Sequence, residues 1–193
     1  MRKLKRFASP ISIMVLATAG LIAVATAADL TDAEATKTYN ELLPDMLERY
    51  GKAGDSISAE YSSWKRFNSA PYISGTHGKR YVNNFANDIA AQSYGKYEEL
   101  TEMPVGSVLA KDSFKITKKG KIKPGPLFLM EKMESGFNAD SQDWKYSAIM
   151  PNGKVMGVTG GAKSKKVKFC YACHIAMGSK TDSMTFLPKE YRQ

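Results

Sequence analysis

The chain is poor in the side chains that most often bind metals and cofactors. Its 193 residues include only two cysteines and two histidines. Both cysteines and one of the histidines fall in a single stretch, residues 169–174, which reads Phe-Cys-Tyr-Ala-Cys-His. A cofactor site that uses cysteine is therefore centred on this stretch, and His77 is the one histidine outside it.

The stretch has the spacing C-x-x-C-H, which is the attachment signature of a c-type haem. The thiols of Cys170 and Cys173 can add across the two vinyl groups of one porphyrin, and His174 then places a neutral imidazole under the iron as proximal ligand. Two cysteines at this spacing also occur in thioredoxin-like redox pairs, but no βαβ pattern surrounds these residues. The sequence therefore predicts one covalently bound haem c, with His174 as the iron ligand.

The chain also lacks a second long apolar run beyond the one near its start. Residues 1–6 are basic and contain no acidic side chain, residues 11–24 are largely apolar, and residues 25–27 have the small-residue pattern of a cleavage site. The apolar run is short for a membrane span of about 20 residues. We therefore predict a cleaved signal peptide over residues 1–27 and one haem domain over residues 28–193, exported to the periplasm and without a membrane span.

Little excess charge remains once this segment is removed. The net charge of +9 includes four basic residues within residues 1–6, so the exported chain is only mildly basic. Such a charge indicates an acidic partner only weakly, and nucleic acid is not expected to bind an exported haem protein. The lysine-rich residues 115–123 and 163–168 either form a solvated turn and connector or dock an acidic electron acceptor.

Two segments have the apolar spacing of helices. Thr31 and Glu34 form a capping-box pattern, and apolar residues at helical spacing continue from there to Gly51. Pro44 lies inside this segment and is expected to kink the helix or split it in two. Residues 52–76 read as a structured loop, and residues 79–94 carry a second helical stripe.

After residue 103 the pattern changes to that of strands. Residues 107–117, 126–134, 144–150 and 154–158 read as strands separated by turn signals. Helices followed by a mainly antiparallel sheet, with the haem attached near the C-terminus, give an α+β fold. A four-helix cytochrome has no place for four strands, and small helical electron-transfer cytochromes usually carry the haem motif near the N-terminus. Neither class fits this sequence.

Two charged residues, Lys111 and Glu131, lie on predicted strands among apolar neighbours. Alternate residues of a strand share a face, so Lys111 shares its face with Leu109, and Glu131 with Leu127 and Leu129. Two structural explanations are that both side chains reach water or that they form a cross-strand ion pair. The functional explanation is that the sheet faces that carry them cover the haem. In the last case a carboxylate near the open side of the iron can act as general base, and a lysine at the porphyrin edge can react covalently. Strand parity does not settle which face is buried.

Several stretches, taken in order, resemble the cytochrome P-460 family. They are Met-Pro-Val-Gly-Ser-Val-Leu-Ala-Lys at residues 103–111, Phe-Leu-Met-Glu at residues 128–131, Trp-Lys-Tyr-Ser at residues 144–147 and the late haem motif. Residues 77–84, His-Gly-Lys-Arg-Tyr-Val-Asn-Asn, also resemble the start of a helix in family members. The resemblance covers most of the chain from His77 onward.

The resemblance implies a periplasmic homodimer with a mainly antiparallel β fold that oxidises hydroxylamine and passes electrons to a soluble cytochrome. It implies that Lys111 corresponds to a lysine cross-linked to a porphyrin meso carbon, and that Glu131 corresponds to a distal carboxylate that removes protons from hydroxylamine. Lys111 and Glu131 are therefore the expected catalytic residues. Because His174 is the single clear axial ligand, we expect a high-spin, five-coordinate ferrous haem with an open distal site.

Two other functions stay open. The beta-type cytochromes c′, a related branch, suggest a non-enzymatic module that binds NO or CO under an aromatic cap, for which Phe114 and Phe128 are candidates. The third possibility is an electron carrier with His/Met ligation. Its candidate ligands are Met103, Met130, Met133, Met150, Met156, Met177 and Met184, most of which are expected to fill the core. His77 is a candidate second axial ligand, but a capping or surface role is expected of it instead.

Overall fold

A computed structural model describes residues 29–193 of the chain. The predicted signal peptide, residues 1–27, lies outside the described residues. Within residues 29–193, no helix is both long enough and apolar enough to cross a membrane.

The helices of the described part are α1 (Asp32–Gly51), α2 (Ser56–Glu60), α3 (Asp88–Tyr94) and α4 (Lys168–Met177). The capping box predicted at the start of α1 is present, since the N–H of Thr31 donates to Oε2 of Glu34 at 2.9 Å and the N–H of Glu34 donates to Oγ1 of Thr31 at 3.4 Å. Pro44 does not split α1, which continues through it. Pro44 is exposed, so water can satisfy the helix carbonyl that its missing N–H leaves without a donor.

The strands of the described part form one antiparallel sheet. They are β1 (Lys65–Arg66), β2 (Tyr72–Ser74), β3 (Arg80–Ala86), β4 (Val108–Ile116), β5 (Ile122–Pro124), β6 (Leu127–Lys132), β7 (Trp144–Ile149) and β8 (Val155–Val158). The main order is β1-β3-β4-β6-β7-β8, while β2 also pairs with β3 and β5 with β4. The predicted α+β class is confirmed, and the four predicted strands correspond to β4, β6, β7 and β8. Residues 52–76, predicted as a loop, contain α2, β1 and β2.

The helix predicted over residues 79–94 is wrong in its first half, which forms β3, and right in its second half, which forms α3. The two central polar residues of β3 are buried because their side chains find partners. Nδ2 of Asn83 donates to Oδ1 of Asp112 at 3.0 Å, and Nδ2 of Asn84 donates to the hydroxyl of Tyr94 at 2.9 Å. These tertiary hydrogen bonds remove the usual cost of burying an amide in a central strand.

Both faces of the sheet are covered. On the first, which we call the α1 face, buried residues of α1 pack against the sheet; they include Ala35, Tyr39, Met46, Tyr50, Phe85, Ala110, Phe114, Leu129 and Ile149. On the second, the α4 face, the sheet packs against α3, part of α4 and the C-terminal tail; the buried residues include Val82, Ala86, Met130, Trp144, Tyr146, Met184 and Leu187. Alternate residues of each central strand therefore belong to two different cores.

A buried carboxylate on the α1 face ties the helices to the sheet. Asp112 accepts hydrogen bonds from the hydroxyl of Tyr39 at 2.8 Å, the hydroxyl of Tyr61 at 3.2 Å and Nδ2 of Asn83 at 3.0 Å. Burial raises the pKa of Asp112 to about 6, although these hydrogen bonds act in the opposite direction. The α1 face is thus held by polar as well as apolar contacts, and it lies away from the haem motif.

Candidate haem site

A cavity of about 410 Å³ lies on the α4 face of the sheet. Its lining includes Cys170, Cys173 and His174 from α4, Lys111 from β4 and His77 from the turn before β3. The volume falls within the range of about 300–1,000 Å³ that is usual for pockets that bind small ligands and cofactors. The structure therefore gathers the haem motif and one of the two predicted catalytic residues at a single place.

The haem motif lies on α4, which the sequence pattern did not predict as a helix. Residues three and four apart on a helix share a face, so Cys170, Cys173 and His174 are directed to the same side. Both thiols are free. Burial raises the pKa of the Cys170 thiol to about 11, so that this sulfur is held as a protonated thiol.

His174 is oriented by the backbone of the C-terminal tail. Its Nδ1 lies 3.0 Å from the carbonyl oxygen of Ser183. A carbonyl can only accept, so Nδ1 carries the proton and Nε2 keeps its lone pair. Burial, and to a lesser extent the charge of Lys111, lower the pKa of His174 to about 4. His174 is therefore a neutral imidazole, as an iron ligand must be.

The return of the chain after α4 fixes the position of Ser183. A Cβ added to Gly178 would lie 2.5 Å from the carbonyl oxygen of Met184 and 2.6 Å from the carbonyl carbon of Ser183. Asp182 and Ser183 both have left-handed backbone angles, with φ of 50° and 64°, which cost non-glycine residues about 1–2 kcal/mol each. An ion pair of 2.8 Å between Oδ1 of Asp182 and Nζ of Lys132 fastens this strained segment to the sheet.

Lys111 is half-buried in the cavity wall. Within residues 29–193 its amine makes no hydrogen bond and no ion pair. Burial lowers the pKa of Lys111 to about 8, so an appreciable fraction of the amine is neutral near neutral pH. A neutral, desolvated lysine amine is a nucleophile.

The second histidine faces the first across the cavity. The ring centroids of His77 and His174 lie 6.4 Å apart. Nδ1 of His77 lies 2.9 Å from Oγ of Ser74 and 3.1 Å from Oγ1 of Thr76. Burial, followed by the charge of Lys111, lowers the pKa of His77 to about 2, so this ring is neutral as well. The capping or surface role expected from the sequence is wrong, because His77 is half-buried in the cavity wall.

Two aromatic residues complete the walls. The Tyr146 ring lies 5.3 Å from the His174 ring, and the Phe128 ring lies 5.1 Å from the His77 ring, between centroids. The hydroxyl of Tyr146 is buried and has no hydrogen-bond partner within residues 29–193. A buried hydroxyl normally has a partner, so this hydroxyl fits a polar group at the edge of a bound cofactor.

Two of the predicted distal residues lie on the other face of the sheet. Glu131 does not line the cavity, and its Oε1 lies 2.8 Å from Nζ of Lys145, its neighbour on β7. Phe114 is buried on the α1 face and stacks on Tyr81, with centroids 4.9 Å apart. The register between β4 and β6 places alternate residues on opposite faces, and Glu131 belongs to the α1 face. The geometry does not support Glu131 as a distal base or Phe114 as a distal cap.

Five of the seven methionines considered as axial ligands line the cavity; they are Met130, Met150, Met156, Met177 and Met184. Sδ of Met177 lies 3.6 Å from Sγ of Cys173. Thioether side chains pack adaptably against flat and aromatic surfaces. The methionines therefore suit the faces of a porphyrin as packing, and none of them is singled out as a ligand.

Taken together, these residues fit a c-type haem. Cys170 and Cys173 would hold the porphyrin and His174 the iron, while the cavity in front of α4 is lined mainly by apolar side chains. Among residues 29–193, no three histidine, cysteine, aspartate or glutamate side chains gather as ligands for a bare metal ion. A bound haem would supply an iron that changes oxidation state and binds small ligands.

Comparison with known protein families agrees with this reading of the site. A sequence model of the family Cytochrome P460 matches residues 58–186, which is more than half of the chain and includes the cavity from His77 to Met184. No curated protein matches the chain.

Proposed function

The chain belongs to the cytochrome P460 family, and we propose that it is a periplasmic cytochrome with one covalently attached haem c that oxidises hydroxylamine or a related small nitrogen compound. Cys170 and Cys173 form the thioether links and His174 binds the iron. The electrons removed from the nitrogen compound pass to a soluble acceptor cytochrome.

The observation that carries this proposal is the position of Lys111. Its amine is half-buried in the same cavity as the two thiols and has no ionic partner within residues 29–193. A lysine that links to a porphyrin meso carbon has to be neutral when it reacts, and burial lowers the pKa of Lys111 to about 8. With a haem bound, such a link would form one C–N bond and break one N–H bond of Lys111 and one meso C–H bond; the two electrons and two protons released would reduce a peroxide oxidant to water.

The protons released by the substrate need an acceptor on the α4 face, because Glu131 lies on the other face. The polar side chains that line the cavity there include Lys111, His77 and Tyr146. Of these, an unlinked Lys111 is the best proton acceptor, because its pKa of about 8 lies near neutral pH whereas that of His77 is about 2.

We also propose that the protein works as an exported homodimer that meets an acidic electron acceptor. The basic and apolar pattern of residues 1–27 supports export, and family resemblance supports the dimer. Lys165, Lys166 and Lys168 are exposed and come directly before the haem motif. Such a positive surface next to the redox site would speed encounter with an acidic cytochrome.

The proposal is tested by digesting the holoprotein and searching by mass spectrometry for haem bound to the Lys111 peptide. Lys111→Arg keeps the charge but removes the nucleophilic amine, so it should abolish the adduct and lower hydroxylamine-dependent reduction of an electron acceptor at least tenfold. Lys115→Ala, which changes an exposed lysine of the same strand, is the matched control. A holoprotein with neither adduct nor hydroxylamine-dependent reduction overturns the proposal.

A second function, reversible binding of NO or CO without oxidation, is favoured by Phe128. Its ring lines the cavity next to His77, where an apolar cap would keep water from a bound gas. Ordinary CO and NO binding by a holoprotein that does not oxidise hydroxylamine would support this function instead.

A further inference from the structure

We propose that His77 is the sixth ligand of the haem iron in the resting protein, on the side opposite His174. The proposal rests on the proposed function only in that a haem is bound at His174. It deepens that function, because hydroxylamine, NO or CO would then have to displace a protein ligand before reaching the iron. It also replaces the open, five-coordinate ferrous site expected from the sequence, which would arise only when His77 leaves the iron.

The distance between the two rings is the first support. Two imidazoles that share one metal ion, each at a bond length of about 2 Å, have their ring centres about 6 Å apart. The centroids of His77 and His174 lie 6.4 Å apart in the cavity wall. This separation matches the one that joint ligation of a single iron would give.

The hydrogen bonds of the two rings are the second support. A metal-bound histidine almost always donates its other ring N–H to a protein acceptor. Nδ1 of His174 is held by the Ser183 carbonyl, and Nδ1 of His77 lies within hydrogen-bond distance of the Ser74 and Thr76 hydroxyls. Nε2 of both rings makes no hydrogen bond within residues 29–193. A hydroxyl can accept as well as donate, so the Ser74 and Thr76 hydroxyls allow His77 the same tautomer as His174, with the proton on Nδ1 and Nε2 available to a metal.

The turn that carries His77 allows the ligand to leave. Gly75, Thr76, Gly78 and Lys79 around it are all exposed. Gly78 and Lys79 have left-handed backbone angles, with φ of 75° and 51°. A segment with so few buried contacts opens at a lower free energy than the strands beside it. His77 can therefore close the distal site at rest and give it up to a small ligand.

The spin state of the iron tests the proposal directly. Visible absorption and electron paramagnetic resonance should show a low-spin, six-coordinate haem in the ferric wild-type holoprotein, and absorption should show the same in the ferrous state. His77→Ala should convert both to high spin, and free imidazole should restore the low-spin spectrum. Lys79→Gly, which changes an exposed residue of the same turn, should leave the wild-type spectrum unchanged.

Ligand-binding kinetics provide a second measurement. In the wild type, the rate of CO binding should level off at high CO concentration, because loss of His77 becomes limiting. In His77→Ala it should rise linearly with CO and be at least tenfold faster. If His77→Ala takes up too little haem, His77→Gln serves in its place, since an amide of similar length is a poor iron ligand.

Two outcomes overturn the proposal. One is a high-spin wild type in both oxidation states, and the other is a low-spin spectrum that persists without His77, which would assign the ligand to another side chain of the cavity, a methionine or Lys111. Hydroxylamine oxidation is measured separately from these spectra. A low-spin wild type that turns high-spin without His77 and oxidises no hydroxylamine upholds the ligand and removes the proposed function. A high-spin wild type that oxidises hydroxylamine removes His77 as a ligand and upholds the proposed function.

Discussion

Lys111 and Glu131 lie on opposite faces of one sheet. Lys111 lines the haem cavity on the α4 face, whereas Glu131 pairs with Lys145 at 2.8 Å on the α1 face. Since neighbouring strand positions alternate between faces, no change of side-chain rotamer can carry Glu131 through the sheet. Chemistry at the haem therefore depends on residues of the α4 face alone.

Glu131→Gln should leave both the haem spectrum and hydroxylamine turnover within about twofold of the wild type, because the side chain does not reach the cavity. The ion pair with Lys145 is partly exposed, with 17% and 27% of the two side chains accessible, so its loss should lower the free energy of unfolding by about 1 kcal/mol. Urea denaturation and turnover are measured on the same preparation. Lys145→Gln, which breaks the same pair from the other side, should match it in both measurements, and a large loss of turnover in Glu131→Gln alone would return Glu131 to the mechanism.

Gly178→Ala should disturb the proximal side of the iron. Its new Cβ would lie 2.5 Å from the Met184 carbonyl oxygen, so the tail has to shift and the Ser183 carbonyl moves away from His174. We expect a loss of about 2 kcal/mol in the free energy of unfolding and a changed iron–histidine stretching frequency in resonance Raman spectra. Gly51→Ala, at a helical position where nothing lies within 4 Å of the added Cβ, should leave the stretching frequency unchanged and raise the free energy of unfolding by up to about 1 kcal/mol. An unaltered stretching frequency in Gly178→Ala would show that the C-terminal tail does not orient His174.

Asp112 should make the protein more stable at low pH than at neutral pH. Burial raises the pKa of Asp112 from 3.8 to about 6 in the folded protein, so the folded state binds this proton more tightly than the unfolded chain. The resulting stabilisation is fully present below about pH 4 and is lost as the pH rises through about 6, by about 3 kcal/mol in all.

The measurement for Asp112 is urea denaturation of the wild-type and Asp112→Asn holoproteins at pH 4 and pH 7. The quantity compared is the wild-type free energy of unfolding minus that of the variant, and it should decrease from pH 4 to pH 7. The contributions of His77 and His174 are the same in both proteins and cancel in this difference. A difference that rises with pH would mean that Asp112 is ionised and stabilised by its tyrosine partners.

The sequence predicted the second half of the fold better than the first. The strands from residue 107 onward were recognisable because turn residues separate short apolar runs. The sequence predicts helix over residues 79–86, because their apolar positions suit either period and because Asn83 and Asn84 are unusual in a central strand. Asp112, the partner of Asn83, is 29 residues away in the sequence, and Tyr94, the partner of Asn84, lies on the following helix, so no pattern within the strand indicates either partner. The local signal that was available is Asn87, whose side chain accepts the N–H of Ala90 and begins α3 there.

The sequence predicts the site residues correctly where they belong to a local motif. It does not do so where a residue's role depends on which face of the sheet it lies on. The haem motif and Lys111 lie within short distinctive strings. Glu131 was misplaced because both sheet faces are covered, one by α1 and the other by α4 and the tail, so burial could not tell the faces apart. The sequence does not reveal the place of His77 opposite His174, because it depends on how β3 and α4 meet across the cavity.

The two histidines of the cavity also differ in how the chain encodes them. His174 and the Ser183 carbonyl that orients it are nine residues apart, so a short peptide can form this pair. His77 and His174 are separated in the sequence by β3, β4, β6 and β7. The two rings come together only after these strands have paired into the sheet. Contacts between neighbouring segments form quickly, whereas contacts between distant segments depend on the whole sheet. We therefore expect the hydrogen bond from His174 to the tail to outlast the approach of His77 as denaturant loosens the sheet, so that the side of the cavity that carries His77 opens before the side that carries His174.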